Sequence, residues 1–217
     1  MISEAVAFLR EELSRYIVAN QRDADSPSTS LRPEDIMIGN VAALDNDQEG
    51  KLKNKVLISL VNVEEESTLK NGKYYIKNPL NNGIEYLHSP VFLNLYLLFS
   101  ATLPDAASSD NYERALQRLS LIIQFFQSKK SFTIKNSHES SFARAIDNGF
   151  LGELRLLPEL YTLTFEQINH LWGSLGGKQV PFVMYKVRLV KIEDPIAREA
   201  PVIEEIREND EVLAKPS

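Results

Sequence analysis

The chain has 217 residues, 43% hydrophobic and 25% charged, with a formal net charge of −6 and no cysteine. That length suits one sizeable core with some chain to spare. The acidic balance leaves no electrostatic footprint for nucleic acid or an anionic membrane surface. The missing thiols exclude disulfides, thiolate catalysis and thiolate metal sites. No apolar run approaches membrane-spanning length, and no basic segment precedes the first apolar residues, so neither a membrane span nor a secretory signal is expected. Composition points to protein partners.

In chain order, Ile2, Val6, Leu9, Leu13 and Ile17 trace one face of a helix, with Glu4, Arg10, Glu11 and Arg15 mostly off it. From Gln21 to Pro33 the chain turns to Asp, Ser, Thr and Pro, the composition of a surface loop. Ile36 to Leu44 and Lys55 to Glu64 carry the β-branched residues of strands, joined by the turn-rich DNDQEGKLKN. Glu64, Glu65 and Glu66 close the second strand as an acidic run, a pattern usually solvated. Leu69 to Asn82 reads as an exposed excursion.

The two most strongly patterned elements follow. Val91, Leu93, Leu95, Leu97 and Phe99 are apolar at every second position, a strand with one buried face. Asp110 and Glu113 then stand at capping-box spacing, and Tyr112, Ala115, Leu116, Leu119, Ile122, Ile123 and Phe126 recur at helical spacing behind them. Burying Leu116, Leu119, Ile122, Ile123 and Phe126 would contribute about 8–15 kcal/mol before ordering entropy is subtracted. Leu121 and Phe125 lie one turn apart near Arg114 on the back of that helix and need cover, either from Lys135 to Phe150 or from another subunit. Arg114, Leu121 and Phe125 are therefore the candidate subunit interface.

Ser131 to Lys135 suits a short strand; residues 135–152 show no clear period. Glu153 to Leu163 is extended, with Pro158 confining it to an edge or a bulge. Thr164 and Gln167 form a capping box ahead of Ile168, Leu171, Trp172 and Leu175, and Gly176 and Gly177 stop that helix. A last strand starts at Pro181, with Val183, Tyr185, Val187 and Leu189 alternating against Met184, Lys186, Arg188 and Val190. The reading is an α+β fold, a mixed, mostly antiparallel sheet flanked by amphipathic helices over residues 1–193. Residues 194–217 form an acidic tail too polar to fold alone, for which Val202, Ile203 and Ile206 are the candidate docking side chains.

No catalytic, cofactor-binding or metal-ligating set emerges. His88, His138 and His170 have no His or Cys at ligand spacing, and Glu166 with His170 supplies too few ligands. Ser137, Ser140 and Ser141 lack a nucleophile elbow. GSLGGKQ at Gly173 to Gln179 has the wrong spacing for a phosphate loop and follows a helix C-terminus, whose dipole repels anions.

Four segments in order, NKVLISLVNVEEE, PVFLNLYLLFSA, YERALQRLSLIIQFFQSKKSF and TFEQINHLWGSLGGKQVPFVMYKVRLVKIE, resemble the cap or tail-terminator family of phage-tail-like contractile injection systems, antifeeding-prophage type included. The likeness runs over about Met1 to Glu193, leaving out the Gln21 to Pro33 loop and the acidic tail. It implies a phage tail-terminator-like fold without enzymatic activity or cofactor. Leu93, Leu95, Leu97, Leu116, Leu119, Ile123, Phe126, Trp172, Tyr185 and Val187 fall in the matching segments as core or interface positions. It further implies a ring, a hexamer, on the distal end of inner tube and sheath, assembled in the cytoplasm and carried in a particle released by lysis. An adaptor at a tube joint of the same particle is the alternative reading, and a small enzyme of unknown chemistry stands behind it.

Overall fold

The computed structural model describes residues 2–21, 30–69, 75–77, 84–86, 90–103, 109–138, 154–176, 179–192 and 198–199. In chain order they form helix α1 (Ile2–Asn20) and strands β1 (Ile36–Ile38), β2 (Val56–Glu65), β3 (Tyr75–Lys77), β4 (Ile84–Tyr86) and β5 (Val91–Ala101). Helix α2 (Ser109–Ser128), β6 (Phe132–Thr133), β7 (Arg155–Leu160), helix α3 (Phe165–Ser174), β8 (Phe182–Ile192) and β9 (Arg198–Glu199) complete the set. Six strands make one sheet in the order β1-β2-β5-β8-β7-β6. β1 runs parallel to β2 and the other neighbours pair antiparallel, so the mixed, mostly antiparallel sheet expected from the sequence is present. The chain divides into a unit of Met1–Ser67 with Val91–Ile192, built on this sheet, and a unit of Thr68–Pro90 with Glu193–Ser217. The second unit contains an antiparallel sheet in the order β3-β4-β9.

Side-chain alternation gives the large sheet two different faces. Val56 and Ile58 of β2, Leu95, Leu97 and Phe99 of β5, Leu156 of β7 and Tyr185 and Val187 of β8 point to one side. There they meet Val6, Leu9, Leu13 and Ile17 of α1 and Ile122, Phe125 and Phe126 of α2 in the main core. Leu98 and Met184 point to the other side, where Trp172 of α3 and Val41 of a 3-10 turn cover them. The helix stripe read over Ile2 to Ile17 and the odd face of β5 are both buried as expected, apart from the partly exposed ends of each.

Local chemistry explains the boundaries. Thr164 Oγ1 accepts from the Gln167 N–H (3.2 Å) while Gln167 Oε1 accepts from the Thr164 N–H (2.9 Å), the reciprocal cap expected for α3. At its other end Gly176 adopts φ +103°, a left-handed conformation that glycine takes without a Cβ clash. Pro158 costs the ladder nothing: the Tyr161 N–H bonds inward to the Met184 carbonyl (2.8 Å), so alternate residues back to Pro158 turn their amide position away from β8.

Several expectations shift. The strand from Ile36 ends at Ile38, because Asn40 caps a 3-10 turn over Val41–Asn46 by accepting the Ala42 N–H (3.0 Å). Asp110 lies inside α2 and not ahead of it. Tyr112, Leu116 and Ile123 are not core residues: they are 51%, 44% and 41% exposed. The buried side of α2 is Ala115, Arg118, Ile122, Phe125 and Phe126, rotated from the stripe drawn on the sequence.

Candidate assembly surfaces

At 100° per residue α2 presents three flanks. Ala115, Ile122 and Phe126 face the sheet, with the Phe126 ring 5.2 Å from Phe99 and 4.2 Å from Tyr185. Arg114, Gln117, Leu121 and Phe125 turn toward α1. The third flank carries Tyr112, Leu116, Leu119 and Ile123, spaced i, i+4, i+7 and i+11, with only Leu119 packed partly against the core. The sequence stripe merged the first and third flanks because neighbouring stripes on a helix share intermediate positions. The usable signal was breadth: apolar residues spread over more than half a helix circumference cannot all reach one sheet.

The three candidate interface residues separate. Phe125 is buried at 4% exposure, its ring 5.5 Å from Tyr16 of α1 and 5.0 Å from Phe132 of β6, so α1 supplies cover that the sequence reading sought elsewhere. Leu121 packs partly against the core. Arg114 and Leu121 border an open cavity of about 460 Å³ between α1 and α2, walled by Ile17, Leu31, Arg118 and Gln124. Arg118 is buried and donates from Nη2 to Asn54 Oδ1 (2.8 Å), holding Asn54 at φ +57°. The candidate docking residues Val202, Ile203 and Ile206 lie outside the described residues.

A second apolar patch lies on the sheet itself. Ile38 pairs with Ile58, Leu60 with Leu97 and Val63 with Leu95, which puts all three on the face that α1 and α2 cover. They are nevertheless 48%, 44% and 40% exposed. An extra residue in β2 at Val61 lets Leu60 and Val63, three positions apart, share this face.

The opposite face carries charge. Glu64 Oε2 accepts from the Tyr96 hydroxyl (2.5 Å) and from Lys186 Nζ (3.0 Å). Glu66 Oε2 accepts from Asn94 Nδ2 (3.0 Å) and pairs with Arg188 (3.5 Å), which also reaches Glu159 (3.2 Å). The acidic run is therefore partly tied into cross-strand pairs and not merely solvated. Hydrogen bonds from Tyr96 and Lys186 lower the Glu64 pKa, and bonding to Glu64 raises that of Tyr96. At the start of β1, Asp35 accepts from Lys55 Nζ (2.6 Å) and from the Arg32 N–H (2.9 Å). Burial pushes the Asp35 pKa up, but these donors outweigh it and the net shift is downward.

These groups are occupied by structural bonds. His138 Nδ1 lies 2.8 Å from Arg15 Nη1, and Lys129 bonds Glu12 (3.1 Å), Ser137 Oγ (3.0 Å) and the Asn136 carbonyl (2.7 Å), fastening the segment after β6 to α1. His170 and Glu166 meet at 3.7 Å on an exposed helix turn. His88, Ser140 and Ser141 lie outside the described residues. Among the described residues there is no cluster of three His, Asp or Glu that could hold a metal ion, and no helix long and apolar enough to cross a membrane.

What the geometry defines is a helix-clad sheet that offers surfaces. Residues 4–205 match the family described as the Pvc16 N-terminal domain, and the chain belongs to that family. The resemblance read from the sequence is upheld. No curated protein matches the sequence. The anti-feeding prophage cap, a tube terminating cap, has the same fold at a TM-score of 0.52 and 12% identity, over 92% of this chain and 59% of that one. The sheath/tube terminator of the extracellular contractile injection system PVC, in its extended state, aligns at a TM-score of 0.44 and 14% identity, over 75% of this chain and 52% of that one. The chain thus spans between half and three fifths of the length of these solved chains.

Proposed function

We propose that this protein is the structural cap, or tail terminator, of a contractile injection system. It forms a ring, taken as six-fold, on the distal end of inner tube and sheath, ends polymerisation there and anchors the sheath end. The observation that carries the reading is membership of the Pvc16 N-terminal domain family over residues 4–205, and a solved protein of the same fold is a tube terminating cap. The physical task asks for no reactive group. A helical polymer leaves an unpaired subunit surface at its growing end, and a closed ring can cover that surface without offering the next layer a docking site.

In this reading residues 1–193 are the body, and the cavity rim at Arg114 and Leu121 takes part in contacts between subunits, with Phe125 holding α2 in place beneath. Residues 194–217 dock on a partner through Val202, Ile203 and Ile206. In this reading that docking is by strand addition. The protein assembles in the cytoplasm and leaves inside a particle released by lysis. Electron microscopy of particles made with and without it is the test. With it, tails have uniform length and closed ends; without it, they run long and variable. Uniform, closed particles in its absence overturn the reading, and antibody label at a tube joint in place of the end away from the baseplate makes it an adaptor.

A further inference from the structure

The open cavity between α1 and α2 concentrates positive charge. It holds about 460 Å³, inside the range of about 300–1,000 Å³ usual for ligand pockets. Two guanidiniums one helical turn apart, Arg114 and Arg118, line it, and among the described residues no carboxylate does. This reverses the balance of the chain as a whole, whose 30 acidic residues outnumber its 24 basic ones. We propose that the cavity binds a carboxylate side chain carried on an acidic peptide segment of a partner protein, with Arg114 as the group that grips it. The proposal rests on the reading of the Arg114 and Leu121 rim as a contact surface and names what that surface takes.

The two arginines are held differently. Arg118 is buried and one of its amino groups is fixed on Asn54 Oδ1 (2.8 Å), so it contributes positive field more than a free donor. Arg114 is half-buried, and among the described residues it has no hydrogen-bond or ion-pair partner. Like charges four positions apart on a helix oppose each other, and partial burial takes from Arg114 some of the water that would solvate it. An anion seated beside both relieves both costs. A guanidinium meets a carboxylate through two parallel N–H···O bonds, so the match is one of shape as well as charge.

The rest of the lining selects the carrier. Asn20 and Gln21 stand at the C-terminus of α1, whose partial negative charge works against a doubly charged oxyanion such as phosphate more than against a carboxylate. Asn20, Gln117 and Gln124 bring side-chain amides, each with a donor and an acceptor, the same pair that a peptide main chain presents. Gln21 already reads main chain in this way inside the protein: its Nε2 donates to the Leu31 carbonyl (2.9 Å) and its Oε1 accepts from the Leu31 N–H (2.8 Å). Leu31 and Leu121 leave apolar wall for the methylenes of a glutamate side chain.

The test uses the full chain and two six-residue peptides with blocked ends and an uncharged dye, Gly-Ser-Glu-Glu-Ser-Gly and the same sequence with Gln for Glu. Fluorescence anisotropy should show the acidic peptide bound at least ten-fold more tightly than its neutral twin, an advantage that shrinks as salt rises. Arg114→Gln should abolish that advantage and Arg114→Lys should keep part of it. Lys51→Gln, which removes one charge from an exposed side chain elsewhere, should leave it intact. The thermal midpoint of Arg114→Gln should equal or exceed that of the wild type, since a like-charge pair is removed; a fall of several degrees would give Arg114 a structural role and overturn the proposal. Equal binding of the two peptides, binding of neither, or the same loss in Arg114→Gln and Lys51→Gln would overturn it too.

Two further arms separate other sources of the carboxylate. Free succinate that displaces the acidic peptide at equal or lower concentration would make this a site for a small acid in place of a peptide. Binding that emerges only in a chain carrying Asp23→Asn and Asp25→Asn would make the chain's own acidic segment the occupant. Either result ends the proposal as stated. All of these measurements are made on the isolated chain, so their failure leaves the cap reading to the microscopy, and uniform tails without the protein would leave an acid-binding cavity in place.

Discussion

The two faces of the six-stranded sheet are built from different materials. On the α1 and α2 side, five rings interlock: Phe126 lies 4.9 Å from Phe125, 5.2 Å from Phe99, 6.0 Å from Phe132 and 4.2 Å from Tyr185. On the α3 side, a small cluster of Leu98, Met184, Trp172 and Val41 gives way within a few residues to Glu64, Glu66, Tyr96, Lys186 and Arg188. The change coincides with irregularities in the strands, at Val61 of β2 and near Arg188 of β8, where one strand gains a residue on its neighbour. The first face supplies cohesion without charge, which pH and the screening of charges scarcely reach; the second is held by charged pairs nearer solvent, which salt and pH can reach. The fold therefore draws little of its stability from the groups at its wet face.

The strongest way to break this comparison is to cut the aromatic cluster. Phe126→Ala removes the ring that touches four others and should cost about 3–5 kcal/mol, read as a lower urea midpoint with unchanged slope. A loss below about 1 kcal/mol would mean that the helix-covered face is not the main source of stability.

An intermediate effect belongs to Asp35, buried beside Lys55 at the edge strand. Asp35→Asn keeps the shape and removes the charge, and should cost about 1–2 kcal/mol near neutral pH. The sign of its pH dependence follows from its lowered pKa. The carboxylate contributes above the unfolded-state value and loses its contribution as pH falls through the lower folded value, so wild type and variant should converge below about pH 4. A difference between the two that stays constant from pH 7 to pH 3 would show that the charge is not what holds Lys55.

The same contrast explains what could be read in the sequence. Period-two alternation in β5 and the row of Ile2 to Ile17 in α1 were legible because each element has one dominant buried face. The Thr164 and Gln167 cap was legible because its chemistry is local. Tyr112, Leu116 and Ile123 were misplaced because nothing in a single sequence separates an apolar flank facing the chain's own sheet from one facing outward. The pairing of Glu64 with Lys186 was invisible for another reason: the two are brought together by β5 lying between β2 and β8, a long-range fact. The bare strip at Ile38, Leu60 and Val63 was likewise hidden, since its exposure depends on where the helices stop, which no strand pattern encodes.

The smallest effect should come from Glu64. Its carboxylate accepts bonds from Tyr96 and Lys186 and its pKa is lowered, yet the group stands in solvent, where side-chain entropy and salt offset most of the attraction. Glu64→Gln should therefore leave the thermal midpoint at pH 7 almost unchanged in 0.5 M salt, with a slight drop appearing only at low salt, a concentration dependence of order set by the screening length. Its contribution is present above the ordinary carboxylate range and disappears as pH falls through the depressed folded value, the same sign as for Asp35 and a smaller amplitude. If Glu64→Gln instead costs as much as Asp35→Asn and does so at high salt, the cross-strand pairs on the α3 side are part of the structural frame, and the division between a dry cohesive face and a wet adjustable one fails.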